Sequence, residues 1–281
     1  MMIRNRALAL LLLTVCFTLR VHAQASAIPS AQTSPDTNDP NAGRRLLDKM
    51  VEALGGAAWL GRTDYSAFGQ SGTFYEGRAN PYVMQFERYV RLQPFGERII
   101  VVSKQGVIIP TTKRDVAEIW TQDNGYEVTY KGKKELPKKD VDEFFVYQRH
   151  SLDTVMLNWL RQPGVLITYE GTDIVDRKIA DKVSILTTSN DGVTLDLDET
   201  THLPISLTFK WRDPTYKDFN TEVQQFDDYH AIEGIMTPLT LTRLHNGEMI
   251  TQVYLKQVHY NVHLPEDLFD PDRPLSKSTK K

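Results

Sequence analysis

The sequence predicts an α+β protein that is mainly β. The expected architecture is a curved antiparallel sheet of about 10–11 strands with helices packed on its concave face. Three observations predict it. Apolar and polar residues alternate over several runs, the period of strands buried on one side. Asn-Gly and similar pairs separate those runs, where a hairpin needs positive φ. One long segment instead repeats every three or four residues, as an amphipathic helix does.

The chain of 281 residues opens with an export signal. Arg4 and Arg6 precede the apolar run Ala7 to Leu19, and Val21-His22-Ala23 ends on a small residue. This layout predicts a cleavable secretory signal over residues 1–23, removed near Ala23. An apolar run of about 13 residues is too short to span a bilayer core, and Arg20 interrupts it. Val15 stands where a lipoprotein signal needs a small residue before Cys16, so lipidation is not expected. Residues 24–40 are small, polar and proline-rich and read as a disordered linker. One folded domain is expected over 41–272, with 273–281 as a second disordered tail.

Cleavage would remove three arginines and no acid, taking the formal charge from −3 to −6. It would also remove Cys16, the single cysteine. An exported chain without cysteine forms no disulfide and carries no thiolate, so its stability rests on packing. Cysteine proteases, thioredoxin-like proteins and Cys-ligated zinc sites are excluded. A pI near 6.2 argues against a nucleic-acid partner, which calls for a basic surface. The expected product is a monomer, periplasmic or secreted.

From Asn41, Leu46, Leu47, Met50, Val51 and Leu54 recur at helical spacing, and Gly55-Gly56 stand where a C-cap belongs. A second helix runs from about Lys138 to Arg161, kinked near Ser151. Val141, Phe144, Phe145, Gln148, Leu152, Val155, Met156, Trp159 and Leu160 form its apolar side, and Lys139, Asp142, Glu143, Arg149 and Asp153 its polar side. Pro163-Gly164 stops it.

The strands supply a surface for that helix. Tyr82, Met84, Phe86, Val90 and Leu92 alternate with Gln85, Glu87 and Arg91; Val193, Leu195 and Leu197 with Thr194, Asp196 and Asp198; Ile205, Leu207, Phe209 and Trp211 with Ser206, Thr208 and Lys210. Asp123-Asn124-Gly125, Lys131-Gly132, Asn190-Asp191-Gly192 and His245-Asn246-Gly247 are the expected hairpin turns.

Catalytic patterns are missing: HExxH, P-loop, GxGxxG and GxSxG do not occur, and Gly69-Gln70-Ser71-Gly72 lacks the final glycine of a nucleophile elbow. His259 and His263 share a strand face, and His230 or His245 would have to join them to hold a metal; a surface pair is the expectation. Asp196 and Asp198, beside Glu199, are expected to be solvated carboxylates. No catalytic residue, metal or cofactor is expected. Arg88 differs, because parity sets it in the apolar row of Met84, Phe86 and Val90. A buried guanidinium needs a partner, so either a carboxylate such as Glu118 pairs with it, or it lies at a rim where a ligand carbonyl can use it.

The C-terminal half also carries family-like motifs. Asp198 to Pro204 end a strand in an acidic turn and Leu-Pro. Phe226 to Tyr229 give Phe-x-Asp-Tyr, Gly234 to Pro238 give Gly-Ile-x-x-Pro, and Asn261 precedes the Leu-Pro-x-x-Leu-Phe of Leu264 to Phe269. The segment WTQDNGYEVTYKGKKEL adds a hairpin with a tryptophan and a turn glycine. From about Arg44 to Asp272 the chain resembles the LolA-like outer-membrane lipoprotein-sorting proteins (the LolA, LolB and LppX type).

That resemblance implies an unclosed barrel with an apolar concave face and helices as plug and lid. It implies no enzyme activity but a carrier for acyl chains of a lipoprotein or another lipid-like ligand, with an envelope membrane protein as a partner. The family's cavity arginine lies on an early strand, where Arg88 and Arg91 both stand; parity favours Arg88. Tyr82, Met84, Phe86, Arg88, Val90, Leu195, Leu197, Ile205, Leu207, Phe209 and Trp211 are the expected cavity residues, faced by Phe145, Val155, Met156 and Trp159 from the lid. Two other readings stay open on the same fold: an interaction or sensor module, and a hydrolase.

Overall fold

Alternation of apolar and polar residues becomes, in the computed structural model, a single antiparallel sheet. Residues 35–105, 116–213, 217–273 and 275 are described. The expected signal over 1–23 lies outside them, as do the linker up to residue 34 and, apart from 273 and 275, the tail. Among the described residues no helix is long and apolar enough to cross a membrane.

Among the described residues thirteen strands form the sheet, more than the 10–11 expected. The first six are β1 (Asp64–Tyr75), β2 (Arg78–Arg91), β3 (Gly96–Gln105), β4 (Val116–Trp120), β5 (Gly125–Thr129) and β6 (Gly132–Glu135). The other seven are β7 (Leu166–Val175), β8 (Lys178–Leu186), β9 (Gly192–Asp198), β10 (Pro204–Arg212), β11 (Phe219–Ile232), β12 (Ile235–His245) and β13 (Glu248–Tyr260). Their order in space is β6-β5-β4-β3-β2-β1-β13-β12-β11-β10-β9-β8-β7. Each half is therefore a meander of hairpins, and β1 joins β13 in the middle, from Tyr65 opposite Tyr260 to Thr73 opposite Thr251. The outermost strands, β6 and β7, are not paired with each other, so the barrel stays open.

This order dictates where the helices go. The chain leaves β6 on one free edge and must reach β7 on the other. It crosses as α3 (Lys138–Arg149), α4 (Leu152–Leu157) and a 3₁₀ turn (Trp159–Arg161). The expected single helix is thus broken, at the place where the kink was expected. His150 ends α3, and Ser151 turns extended and caps α4 by accepting a hydrogen bond from the Thr154 amide at 3.3 Å.

The N-terminal helix α1 (Ala42–Leu54) buries Leu46, Leu47, Met50 and Leu54, the predicted face. It packs against β7, β8 and β12 and shares one core with Val183, Ile185, Leu195, Leu197 and Leu207. Each such side chain contributes about 1.5–3 kcal/mol by leaving water. Gly55 caps α1 at φ 123°, and a Cβ there would stand 2.4 Å from the Gly234 carbonyl oxygen, so only glycine fits. The short α2 (Ala57–Leu60) follows and buries Trp59.

Candidate ligand-binding cavity

Helix α1 fills one side of the concave face. Beside it, under α3 and α4, the sheet encloses a cavity of about 890 Å³. Strands β1, β2 and β11–β13 line its middle with apolar side chains, among them Phe86, Leu241, Val253, Leu255 and Val258. Leu241, Val253 and Leu255 are only half-buried although they line the cavity, because among the described residues no side chain fills the space before them.

The covering helices are fixed at both ends by specific contacts. Phe144 of α3 stacks on Trp120 of β4 with centroids 3.7 Å apart and planes 7° from parallel. Trp120 lies flat against Gly125, where a Cβ would stand 2.4 Å from its ring. The Tyr147 hydroxyl donates to the carboxylate of Glu222, which is 1% exposed and also accepts from Trp211 Nε1 at 3.1 Å and faces His245 Nδ1 at 2.5 Å. Burial raises the Tyr147 pKa, so it is the protonated phenol that holds this contact. On α4, Asp153 Oδ1 pairs with Arg62 Nη2 at 2.7 Å, while Arg62 Nε donates to the Trp59 carbonyl. Gln93 Nε2 donates to Asn158 Oδ1 at 2.9 Å. At the break between the helices, His150 is buried, stacked on Phe209 at 4.3 Å, with Nδ1 2.7 Å from the Val146 carbonyl.

Two polar poles lie at the ends of β13. Near Tyr260, Arg88 donates Nε and Nη2 to Glu97 at 3.0 and 2.8 Å, and Glu97 is 3% exposed. Burial disfavours the guanidinium charge, yet Glu97, with Tyr65, outweighs it and raises the Arg88 pKa. The Tyr65 phenol is pushed up to about 12 by burial. The second pole, around Thr251, contains Gln224 and Arg243. Tyr260 lies nine residue steps along β13 from Thr251, about 30 Å at roughly 3.3 Å per residue.

Of the residues expected in the cavity, Met84, Phe86, Arg88, Val90 and Phe209 lie on its wall, as does Phe145 of α3. The others lie elsewhere. Leu195, Leu197 and Leu207 share the inner face but are packed beneath α1. Val155, Met156 and Trp159 belong to that same core, and Trp211 packs at its margin while binding Glu222. Tyr82 is exposed and does not line the cavity. Parity fails at Ile205. Pairing jumps from Pro204–Leu197 to Ser206–Asp196, and Ile205 instead lines a small groove with Gln225, Asp227, Thr240 and Thr242.

Arg88 is paired with a carboxylate, one of its two expected readings, and the partner is Glu97 rather than Glu118: Ile99 faces Arg88 across the ladder, and Glu97 is the next residue on that side. Asp196 is not solvated but 6% exposed; it lies between β8 and β10, accepts from Ser206 Oγ at 2.6 Å, and its pKa is raised by burial. Asp198 instead accepts from the Thr200 and Thr201 amides in the following turn. Four acids also stand in the wall: Glu97, Glu118, Asp153 and Glu222. Glu97, Asp153 and Glu222 are engaged by the donors above. Among the described residues no group of three or more His, Cys, Asp or Glu is placed to hold a metal, and exposed His259 faces Glu233 at 3.1 Å.

Sequence reasoning missed Arg62 and Arg243. Arg243 carries the same signal as Arg88, since it shares the face of Leu241 by the two-residue period. Arg62 lies in a turn, where periodicity gives no signal.

These features define a class: an open antiparallel sheet wrapped around an apolar hollow and crossed by a helical strap. No family model matches the sequence, and no curated protein matches it. Solved structures share its fold. A domain described as an outer membrane lipoprotein-sorting protein, from Vibrio parahaemolyticus, is 10% identical with a TM-score of 0.52 over 83% of this chain and 97% of its own. A DUF1329 family protein from Desulfovibrio piger is 12% identical with a TM-score of 0.52, over 83% and 98%. A LolA superfamily protein from Nitrosomonas europaea is 10% identical with a TM-score of 0.51, over 82% and 98%. The fold is the one found in the LolA superfamily, in line with the resemblance carried by the sequence motifs.

Proposed function

We propose that the protein is a carrier that holds acyl chains of a lipoprotein or another lipid-like ligand in its cavity, acting in the periplasm in outer-membrane lipoprotein sorting. On this reading it is not an enzyme, and an envelope membrane protein delivers or receives its cargo. The observation that carries it is the row Leu241, Val253 and Leu255: inward-facing apolar side chains left half-exposed around about 890 Å³ of space. Side chains of this kind stabilise a fold less than packed ones and gain when an apolar ligand covers them.

Magnitudes constrain the mechanism. A buried methylene contributes about 0.8 kcal/mol, so a 16-carbon chain offers about 12 kcal/mol gross. Two fully buried chains would pass the practical affinity limit of about 18–21 kcal/mol. Displacing the strap against its anchors at Tyr147, Asp153 and Asn158 is the offsetting cost that keeps binding reversible.

Native mass spectrometry of the full chain purified from a bacterial periplasm tests this. Copurified lipid, lost on extraction and regained on adding back the extract, is the expected result. A protein that leaves the periplasm without lipid and takes none up returns the fold to the interaction-module reading.

A further inference from the structure

Strands β11, β12 and β13 set three polar side chains side by side at one end of the cavity. Gln224 pairs with Arg243 and Arg243 with Thr251, and all three line the wall. The Arg243 guanidinium lies flat under the strap, its carbon 3.5 Å from the centre of the Tyr147 ring. Its Nε is buried and has no hydrogen-bond partner among the described residues, and the Tyr147 hydroxyl is the polar neighbour that the strap sets beside the guanidinium. Among the described residues no carboxylate stands within 4.0 Å of it. Neither the Gln224 amide nor the Thr251 hydroxyl takes a side-chain hydrogen bond among the described residues. The adjacent carboxylate, Glu222, is already engaged by Tyr147, Trp211 and His245.

The other pole offers a contrast: Arg88 is matched to Glu97 and Arg62 to Asp153. A buried donor without a partner costs free energy, and a guanidinium presents five N–H groups in a fork that suits a carboxylate or a phosphate. We propose that Arg243, Gln224 and Thr251 form a subsite for an anionic headgroup, so that the ligand is an amphiphile with a carboxylate or phosphate monoester head. The head lies at the β12–β13 turn end, and the chain runs past Val253 and Leu255 toward Phe86 and Val258. This rests on the carrier reading and narrows its ligand class.

The test is displacement of the uncharged fluorophore N-phenyl-1-naphthylamine from the full chain at pH 8 by hexadecanoate, monohexadecyl phosphate and hexadecan-1-ol. At least one of the two acids is expected to act at about tenfold lower concentration than the alcohol, the effect of one charge-assisted hydrogen bond. The comparison between the acids distinguishes carboxylate from phosphate. Equal potency of all three probes overturns the subsite and leaves the carrier reading standing; no displacement by any of them overturns both. Arg243→Gln is expected to bring the acids to the potency of the alcohol on the same variant, and a preference that survives overturns the assignment to Arg243. Should that variant not fold, Gln224→Leu, which leaves every charge in place, is expected to reduce the preference severalfold, and an unchanged preference overturns the proposal.

Discussion

Arg62 Nη2 and Asp153 Oδ1, 91 positions apart in the chain, meet at 2.7 Å and join the floor of the cavity to the strap above it. The Arg62 side chain is 6% exposed and Asp153 30%, so the cation cannot turn to water when its partner is removed. Asp153→Ala is expected to cost about 1–3 kcal/mol, below the 3–5 of a fully buried pair because Asp153 keeps some solvent. Urea unfolding measures the loss. Hydrogen exchange should show faster opening of 152–161 than of β1 and β13; uniform exchange would mean that the pair does not hold the strap.

The second anchor differs in kind. Glu222 is a buried acceptor with three donors around it, so Glu222→Gln, which keeps the shape but opposes those donors with an amide, should cost about 2–4 kcal/mol. Tyr147→Phe removes one donor and should cost about 1–2 kcal/mol. A larger loss for the tyrosine variant than for the glutamine one, by denaturant titration, would contradict this ordering.

Hollow and core respond oppositely to added bulk. Val253 faces the cavity, so Val253→Trp should fold with a nearly unchanged unfolding midpoint and lose uptake of N-phenyl-1-naphthylamine. Leu207, 1% exposed in the packed core, has no such room, and Leu207→Trp should lose about 1–3 kcal/mol through overpacking. Equal destabilisation of both would mean that the cavity is closed in solution.

His150 adds a pH dependence. Burial lowers its pKa from the usual 6.5, and Arg149 adds to this while the Val146 carbonyl and Asp191 oppose it. The unfolded chain therefore takes the proton first. Its contribution to stability is flat above about pH 6.5 and falls as pH drops toward the lower folded value. In urea midpoints between pH 7.5 and 5, His150→Gln should show a shallower decline than the unaltered chain; parallel declines would assign the titration to another group.

Much of the fold was legible because one-sided strands and amphipathic helices write their period into the sequence. The face of α1, the break at Ser151 and the turns at Gly125, Asn190 and Asn246 all follow from local chemistry. The strand number was underestimated because β6, Gly-Lys-Lys-Glu, has no apolar alternation to show. The cavity was legible only in part. Periodicity names the inner face and not which stretch of it another element covers, so Leu195 and Leu207 read like Phe86 although α1 lies on them. Register is equally hidden in the sequence, so periodicity does not single out Glu97 among the carboxylates that could pair with Arg88 and does not show the bulge at Ile205.

The chain's two ends of the sheet, β1 and β13, are stitched together at its centre, while both free borders belong to the middle of the sequence and are tied by residues 136–165 alone. On the carrier reading, a cargo wide enough to splay β6 away from β7 draws that tether tight, and a slender one leaves it slack. The girth of the load would then be converted into tension along a single stretch of backbone that crosses the hollow.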